Sequence, residues 1–314
     1  MQFHKDKDKD KDKIIIIDFG SQVTKLIARR IRDMGVYSEV IPPKEFNNLG
    51  EYKNIKGIIL SGGPSTVTKN AFQSIPKKLF EIQIPILGIC YGLQLIAKLF
   101  GGKIKNSKKK REFGRAFLIK KKKSLLTKGF LNTKKAVWMS HEDAVVKLPN
   151  NFDLIASTKE SKLAIIENKK EKIYGVQFHP EVTHTHNGKI IFKNFLFEIC
   201  KIKKKWNVIS QKKRLINEIK KTVKNDKVIC ALSGGVDSSV VALLVNKAIK
   251  NNLICIMVDT GLMRKNEFKY TYRIFKNKYR LNVKLINASK LFFSKLNNVS
   301  NPEKLSFFWK RKLF

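Results

Sequence analysis

Short apolar runs bounded by turn residues recur along the chain: IIIID at 14–18, GIILS at 57–61, IPILGI at 84–89 and IYGVQF at 173–178. Runs of this length without a polar face predict strands buried on both sides, as in a parallel sheet. Between the early runs, SQVTKLIARRIRDMG at 21–35 repeats apolar residues at helical spacing, and Gly35 stands where such a helix would stop. The alternation predicts an α/β domain reaching to about residue 200.

Residues 201–226 are Lys-rich and helix-compatible with little core signal, and they read as a connection. A second α/β pattern follows. KVICALS (227–233) predicts a strand, SSVVALLVNKAIK (238–250) a helix and LICIMVD (253–259) a strand. The stretch from Arg264 to about Lys278 has helical character, and LNVKLIN (281–287) predicts a third strand. No repeat of solenoid period is visible. Residues 1–13, with their Lys/Asp alternation, predict a solvated leader without chemistry of its own.

A length of 314 residues leaves room for about two domains, and 43% hydrophobic content describes globular material. No apolar run approaches a membrane span, and MQFHKDKDKDKDK lacks the apolar core of a signal peptide. Four cysteines without a CxxC pair speak against a zinc ribbon or a disulfide framework, so a reducing, cytoplasmic setting is expected. The net charge of +40 would ordinarily point to nucleic acid. Here the basic residues are mostly Lys, spread throughout and accompanied by abundant Ile, Asn and Phe, without an Arg-rich arm or zinc-finger spacing. The charge reads as compositional bias. It implies salt-sensitive adhesion to polyanions but no specific nucleic-acid partner.

Against this background GICYGLQLIAKLFGG (88–102) stands out, because one cysteine lies between two glycines where a strand gives way to a helix. Free cysteines are usually buried and inert. Strand–Gly–x–Cys–x–Gly–helix, however, has the form of a nucleophile elbow, and a helix N-terminus favours negative charge on sulfur. A cysteine nucleophile needs a base and an orienting group. Of five histidines, His179 directly follows a strand-like run, and Glu181 lies two residues on, across Pro180. The paired glycines of GIILSGGPS (57–65) could present N–H groups to an oxyanion, though a Gly-Gly-Pro after a strand is often only a turn. HPEVTHTH (179–186) also allows a metal reading, which neither HExxH spacing nor a cysteine partner supports. His184 and His186 read as loop residues.

Together, GICYGLQ, ILSGGP and YGVQFHPEVTHT resemble the class I glutamine amidotransferases with a Cys-His-Glu triad. The opening IIDFGSQVTKLIARRIRDMGVYSE and VWMSHEDAV (137–145) are similar to the amidotransferase domain of the GMP synthetase family, over residues 14 to about 200. The resemblance implies Cys90 as nucleophile, His179 as base and Glu181 as its orienting partner. It implies Gly62, Gly63 and the Tyr91 N–H at the oxyanion, and Gln94, Ser140 and His141 at the glutamine substrate.

CALSGGVDSSVVALL (230–244) combines a strand, a glycine loop and a helix start without the Walker GxxxxGK[ST] pattern. Loop N–H groups and hydroxyls at a helix N-terminus can cradle phosphate. The string Ser233-Gly234-Gly235-Val236-Asp237-Ser238-Ser239 resembles the pyrophosphate loop of the N-type ATP pyrophosphatases. That resemblance implies ATP as substrate with Mg2+, Asp237 placing the metal–pyrophosphate and Ser238 and Ser239 on phosphate oxygens. MVDTGLMR (257–264) matches GMP synthetase just beyond the next strand, which makes Val258 and Asp259 candidates for a nucleotide pocket; Asp259 could also be an ordinary strand-end residue.

A Cys-His-Glu amidotransferase followed by SGGVDSS is similar to glutamine-hydrolysing GMP synthetase. The implied fold is a class I glutamine amidotransferase domain (14–200), a connection (201–226) and a partial, doubly wound ATP pyrophosphatase domain (227–314). The implied substrates are glutamine, ATP and xanthosine monophosphate. Family members run on beyond NPEK (301–304), where this chain has LSFFWKRKLF. The rest of the pyrophosphatase fold and the C-terminal domain used for homodimerisation are therefore expected to be missing. The aromatic tail with Phe307, Phe308, Trp309 and Phe314 fits an uncovered module that depends on a partner. A sequence cut short, a decaying gene and a split enzyme with a separate synthetase chain would each give this pattern. The competing functions are a non-catalytic remnant and a stand-alone glutaminase subunit.

Overall fold

The computed structural model describes residues 12–46, 54–68, 72–106, 112–132 and 135–296. Residues 1–11 of the leader and the aromatic tail lie outside the described residues, and Lys13, read as the leader's last residue, is the buried first residue of a strand. The chain divides into two units, Met1–Asn207 and Val208–Phe314.

In the first unit β1 (Lys13–Ile17), α1 (Thr24–Asp33), β2 (Tyr37–Ile41), β3 (Ile55–Leu60), β4 (Ile86–Ile89) and α2 (Tyr91–Leu99) form the alternating part. β5 (Lys103–Asn106), β6 (Glu112–Lys120), β7 (Lys135–His141), β8 (Asp143–Lys147), β9 (Asp153–Ser157), β10 (Ile165–Asn168), β11 (Ile173–Val176) and α3 (Lys189–Lys193) follow, with a π-helical turn at Asn194–Ile199. Nine strands make one sheet in the order β2-β1-β3-β4-β11-β10-β9-β6-β7, and β5 pairs separately with β8. The five strands from β2 to β11 are mutually parallel, and β10, β9, β6 and β7 continue antiparallel.

The all-apolar runs lie in the parallel half because both faces there are covered. Ile14 and Ile16 pack with Ile27 and Ile31 of α1 and with Phe192 of α3. Ile15 and Ile17 point the other way, into a cluster with Tyr91, Leu93 and Ile96 of α2. Two-residue periodicity thus sends one tetra-isoleucine run into two core layers, each side chain contributing roughly 1.5–3 kcal/mol of burial. α1 stops at Met34, and Gly35 takes φ +81° as the chain turns into β2.

The second unit comprises α4 (Val208–Val223), β12 (Val228–Ala231), α5 (Val236–Ile249), β13 (Leu253–Asp259), α6 (Glu267–Arg273), β14 (Val283–Asn287) and α7 (Ser289–Leu296), with a π-helical turn at Ile274–Lys278. Its parallel sheet runs β12-β13-β14, over a core of Cys230, Leu232, Ala242, Leu253, Cys255, Met257, Phe275 and Leu281. Ile229, Val240 and Val241 are exposed. The Lys-rich stretch read as a connection has two parts. Lys205 and Trp206 donate backbone N–H groups to the Gly35 carbonyl in the first unit, whereas α4 packs on α5 in the second.

Candidate active site

β4 ends at Ile89 and α2 begins at Tyr91, so Cys90 is the single residue between strand and helix. It holds φ +52° and ψ −102°, a backbone state costing roughly 1–3 kcal/mol for a residue with a side chain. The neighbours enforce it. The Cys90 N–H donates to the Val176 carbonyl at 2.8 Å, and the Gly92 N–H to the Ser61 carbonyl at 3.1 Å. A Cβ on Gly92 would lie 2.4 Å from the Leu60 oxygen, and one on Gly88 would lie 2.6 Å from the Gly92 carbonyl. Both glycines are therefore required by close approach, and the cysteine carries the strain.

β11 lies beside β4 in parallel, with Val176 opposite Ile89. Residues just beyond the two strands consequently emerge side by side, which is how a residue at 90 meets one at 179. His179 Nδ1 lies 2.7 Å from Glu181 Oε1, and Cys90 is the ring's other polar partner. Burial opposes a charge on this ring. The hydrogen bonds to Cys90 and Glu181, with the negative charge on those groups, outweigh it and push His179 up to about 10. Thr185 fixes the segment: its hydroxyl donates to the His179 carbonyl at 2.6 Å and accepts the Trp138 N–H at 3.0 Å. Arg30 Nε donates to the Glu181 carbonyl at 3.1 Å. His184 packs at a tilt against Trp138, 4.5 Å between ring centroids, and the His186 N–H donates to the Ala136 carbonyl at 3.2 Å, both in turns beside β7.

The other candidates divide by what they bring. Gly62 faces His179, since a Cβ there would lie 3.1 Å from its Cε1, and Gly63 has no room for one beside the Phe19 carbonyl. Buried Ser61 donates to the Gly62 carbonyl at 2.7 Å and accepts the Phe19 N–H at 3.0 Å, pinning the loop's start. The Tyr91 phenol is occupied: it donates to the Gln73 carbonyl at 2.6 Å, and burial pushes it up to about 12. The Tyr91 N–H sits in the first turn of α2, where N–H groups have no helical acceptor. Gln94 is buried and donates to the Asp143 carbonyl at 2.7 Å. Ser140 meets Cys90 through its carbonyl, 3.7 Å from Sγ, while its side chain is exposed. His141 is buried with Nε2 3.5 Å from Glu112 Oε2.

Three residues near the site escaped the sequence reading. Gln177 is fully buried, with Nε2 3.7 Å from Cys90 Sγ. Asp143 accepts the Thr66 hydroxyl and so ties the loop after Gly63 to the start of β8. Glu112 backs His141. Only Gln177 carried a signal, as an amide directly after a buried strand and two residues before His179. A cavity of about 760 Å3, lined by residues such as Phe80, Phe100 and Asn168, includes none of Cys90, His179 or Glu181. The cysteines also differ in setting. Cys200 sits in the core, where burial pushes its thiol well above the ordinary range, whereas Cys90 has a histidine partner.

In the second unit the loop after β12 leads into α5. Gly234 takes φ +85°, and Gly235 caps the helix. Ser233 Oγ and Ser238 Oγ lie 2.9 Å apart, and the Ser238 and Ser239 hydroxyls donate to the Gly235 carbonyl at 3.1 and 2.6 Å. Val236 and Asp237 are exposed in the first turn. This is a hydroxyl-rich collar at the N-terminus of a 14-residue helix, open to an anion. Val258 and Asp259 end β13, the strand beside β12. Asp259 Oδ1 accepts the Gly261 N–H at 2.9 Å and borders a cavity of about 210 Å3 that Val258 does not line. Among the described residues, no helix is long and apolar enough to cross a membrane.

Residues 15–199 match the family "Glutamine amidotransferase class-I", and residues 208–305 match "NAD synthase". A "GMP synthase [glutamine-hydrolyzing]" from Borrelia garinii subsp. bavariensis is 48% identical over 92% of this chain and 54% of the relative. One from Clostridium tetani is 47% identical over 93% of this chain and 57% of the relative. The chain thus spans slightly more than half the length of these relatives. A solved structure from Thermoplasma acidophilum, described as that of a GMP synthase subunit, is 34% identical with a TM-score of 0.55, covering 61% of this chain and 94% of that one. The chain belongs to the class-I glutamine amidotransferase family, as a homologue of the glutamine-hydrolysing GMP synthases with a partial NAD synthase-like, ATP pyrophosphatase-type module after it.

Proposed function

We propose that the first module (14–200) hydrolyses glutamine to supply ammonia, and that the module after the 201–226 connection uses it to aminate xanthosine monophosphate to GMP. The observation that carries this reading is the elbow cysteine facing a histidine held by Glu181 at 2.7 Å. The Cys90 sulfur attacks the side-chain amide carbon of glutamine, and the carbonyl oxygen becomes an oxyanion facing the Gly62–Gly63 loop and the Tyr91 N–H. Protonated His179 gives its proton to the leaving nitrogen, the C–N bond breaks, and ammonia departs from a glutamyl thioester. Neutral His179 then takes a proton from water as the hydroxyl adds to the thioester; glutamate leaves and the thiol is restored. Gln94 and the Ser140–His141 segment border the substrate's remaining groups.

In the second module, the Ser233–Ser239 loop holds the phosphates of ATP. Attack by the acceptor's oxygen on the α-phosphorus releases pyrophosphate, and ammonia then displaces AMP. Asp237, a single exposed carboxylate beside a phosphate-binding helix end, suits a Mg2+ that takes its other ligands from phosphate and water. Val258 and Asp259 border the nucleotide. The cytoplasm, where such a biosynthetic enzyme finds its substrates, is the proposed location.

A second reading has its own support, because the chain covers 94% of a protein described as a subunit. In it the chain is a glutaminase that passes ammonia to a separate synthetase polypeptide. Two assays on the purified chain decide: ammonia release from glutamine, and pyrophosphate release from ATP that depends on xanthosine monophosphate. Ammonia without pyrophosphate supports the second reading, both together support the first, and ammonia release that survives Cys90→Ala overturns the nucleophile assignment in either.

A further inference from the structure

We propose that Gln177 is a catalytic residue of the glutaminase site, whose side-chain amide donates a hydrogen bond to the Cys90 sulfur and holds it in the attacking, thiolate form; this rests on Cys90 being the nucleophile. Gln177 follows the last residue of β11 and is fully buried. Its backbone N–H donates to the Ala164 carbonyl at 2.8 Å, which fixes the main chain and aims the side chain across to the neighbouring elbow. Nε2 lies 3.7 Å from Cys90 Sγ, while Oε1 is buried with no hydrogen-bond partner among the described residues. An amide left half-satisfied in the interior is costly unless its satisfied half matters.

The two polar neighbours of the sulfur fit different protonation states. The Ser140 carbonyl, at 3.7 Å, can only accept, so it suits the S–H form. The Gln177 NH2 group can only donate, and it suits S−. With protonated His179 on the same sulfur, the thiolate accepts from two donors, whereas the thiol has one proton and can serve only one acceptor. Donors to an ionised group form the stronger bonds, so the arrangement favours the nucleophilic state before substrate arrives. The proton released belongs to His179, which returns it to the leaving nitrogen.

The test is alkylation of Cys90 by iodoacetamide in the full chain, followed by peptide mass spectrometry to separate it from Cys200, Cys230 and Cys255. Gln177→Met keeps the side-chain length and removes the donor. Gln177→Glu keeps the shape and sets a carboxylate against the sulfur. At neutral pH, alkylation is expected to be about tenfold slower for Met and slower still for Glu, as for loss of one hydrogen bond to a charged group. The Met variant should converge on wild type at about pH 10, where the ordinary thiol is ionised. A purely structural role would shift the rate alike at both pH values, and that result overturns the proposal. So does an unchanged or faster rate at neutral pH, the faster case meaning that the amide oxygen accepts from the thiol. The near-isosteric Glu variant serves if Met disturbs folding. If alkylating Cys90 in the wild type leaves glutaminase activity intact, the nucleophile reading itself fails; if activity stops but both variants alkylate normally, only the role of Gln177 is lost.

Discussion

His179 Nδ1 and Glu181 Oε1 lie 2.7 Å apart with the Glu181 side chain fully buried, so the carboxylate sets both the tautomer and the direction of the ring. The remaining nitrogen is left for the Cys90 sulfur. This pair is two residues apart in sequence, yet its orientation comes from Thr185 and Arg30, which bind the main-chain carbonyls of His179 and Glu181.

Glu181→Gln keeps the shape and removes the charge that stabilises the imidazolium from which the leaving nitrogen takes its proton. Glutaminase kcat is expected to fall roughly 100-fold, at the low end of what a positioned acid–base group contributes. KM for glutamine should change little, because Glu181 lies behind the ring. Steady-state ammonia release measures both, and a KM effect without a kcat effect would contradict the assignment.

Gly92→Ala is the sharpest packing test of the elbow. Its Cβ would lie 2.4 Å from the Leu60 oxygen and 2.7 Å from the Leu60 Cβ, in a buried strand that cannot retreat. Stability is expected to drop by roughly 1–3 kcal/mol, the usual cost of overpacking a core. Urea unfolding followed by tryptophan fluorescence would show it as a lower midpoint.

Four of the five parallel strands of the first sheet were legible because they are apolar on both faces, as in Ile14–Ile17, whereas β2, with Ser38 and Glu39 inside it, gave no such run. The antiparallel half was not. β6 leaves Phe113, Phe117 and Ile119 exposed and buries Leu118, so its apolar residues mark no single core face. β5, KIKN, offers one apolar residue. At the site, Cys90 and His179 were readable because each sits in a dense local motif. Gln177 and Asp143 act through strand adjacency and loop closure across the fold, which local spacing does not encode. In the second unit β13 follows the sequence reading residue for residue, since LICIMVD is continuous and turn-bounded, while β12 is shorter because its end becomes the phosphate-type loop.

Gly234→Ala tests that loop. Gly234 holds φ +85°, and a Cβ there would lie 2.7 Å from Thr271 Cγ2, so the substitution meets both backbone strain and a neighbour. A loss of roughly 1–2 kcal/mol is expected from the left-handed conformation alone. ATP affinity should weaken as the collar shifts. Gly235→Ala, whose Cβ would meet only Ser233 Oγ at 3.5 Å, should leave the unfolding midpoint nearly unchanged. Calorimetric titration with ATP and parallel denaturation curves make the comparison.

The raised His179 value also ties stability to pH. The ring holds its proton up to about 10 in the folded chain, against about 6.5 when unfolded. Between those values the folded state binds a proton that the unfolded state lacks. The contribution is therefore complete below about 6.5 and is lost as pH rises through about 10. Deprotonation of surface lysines in the alkaline part of that window acts in the opposite sense, because it relieves the self-repulsion of a chain carrying +40. The quantity to measure is thus the difference between wild type and His179→Asn in urea midpoint, taken at several pH values. That difference should shrink steadily from neutral to alkaline pH. A constant difference would mean that the ring is not held protonated by Cys90 and Glu181.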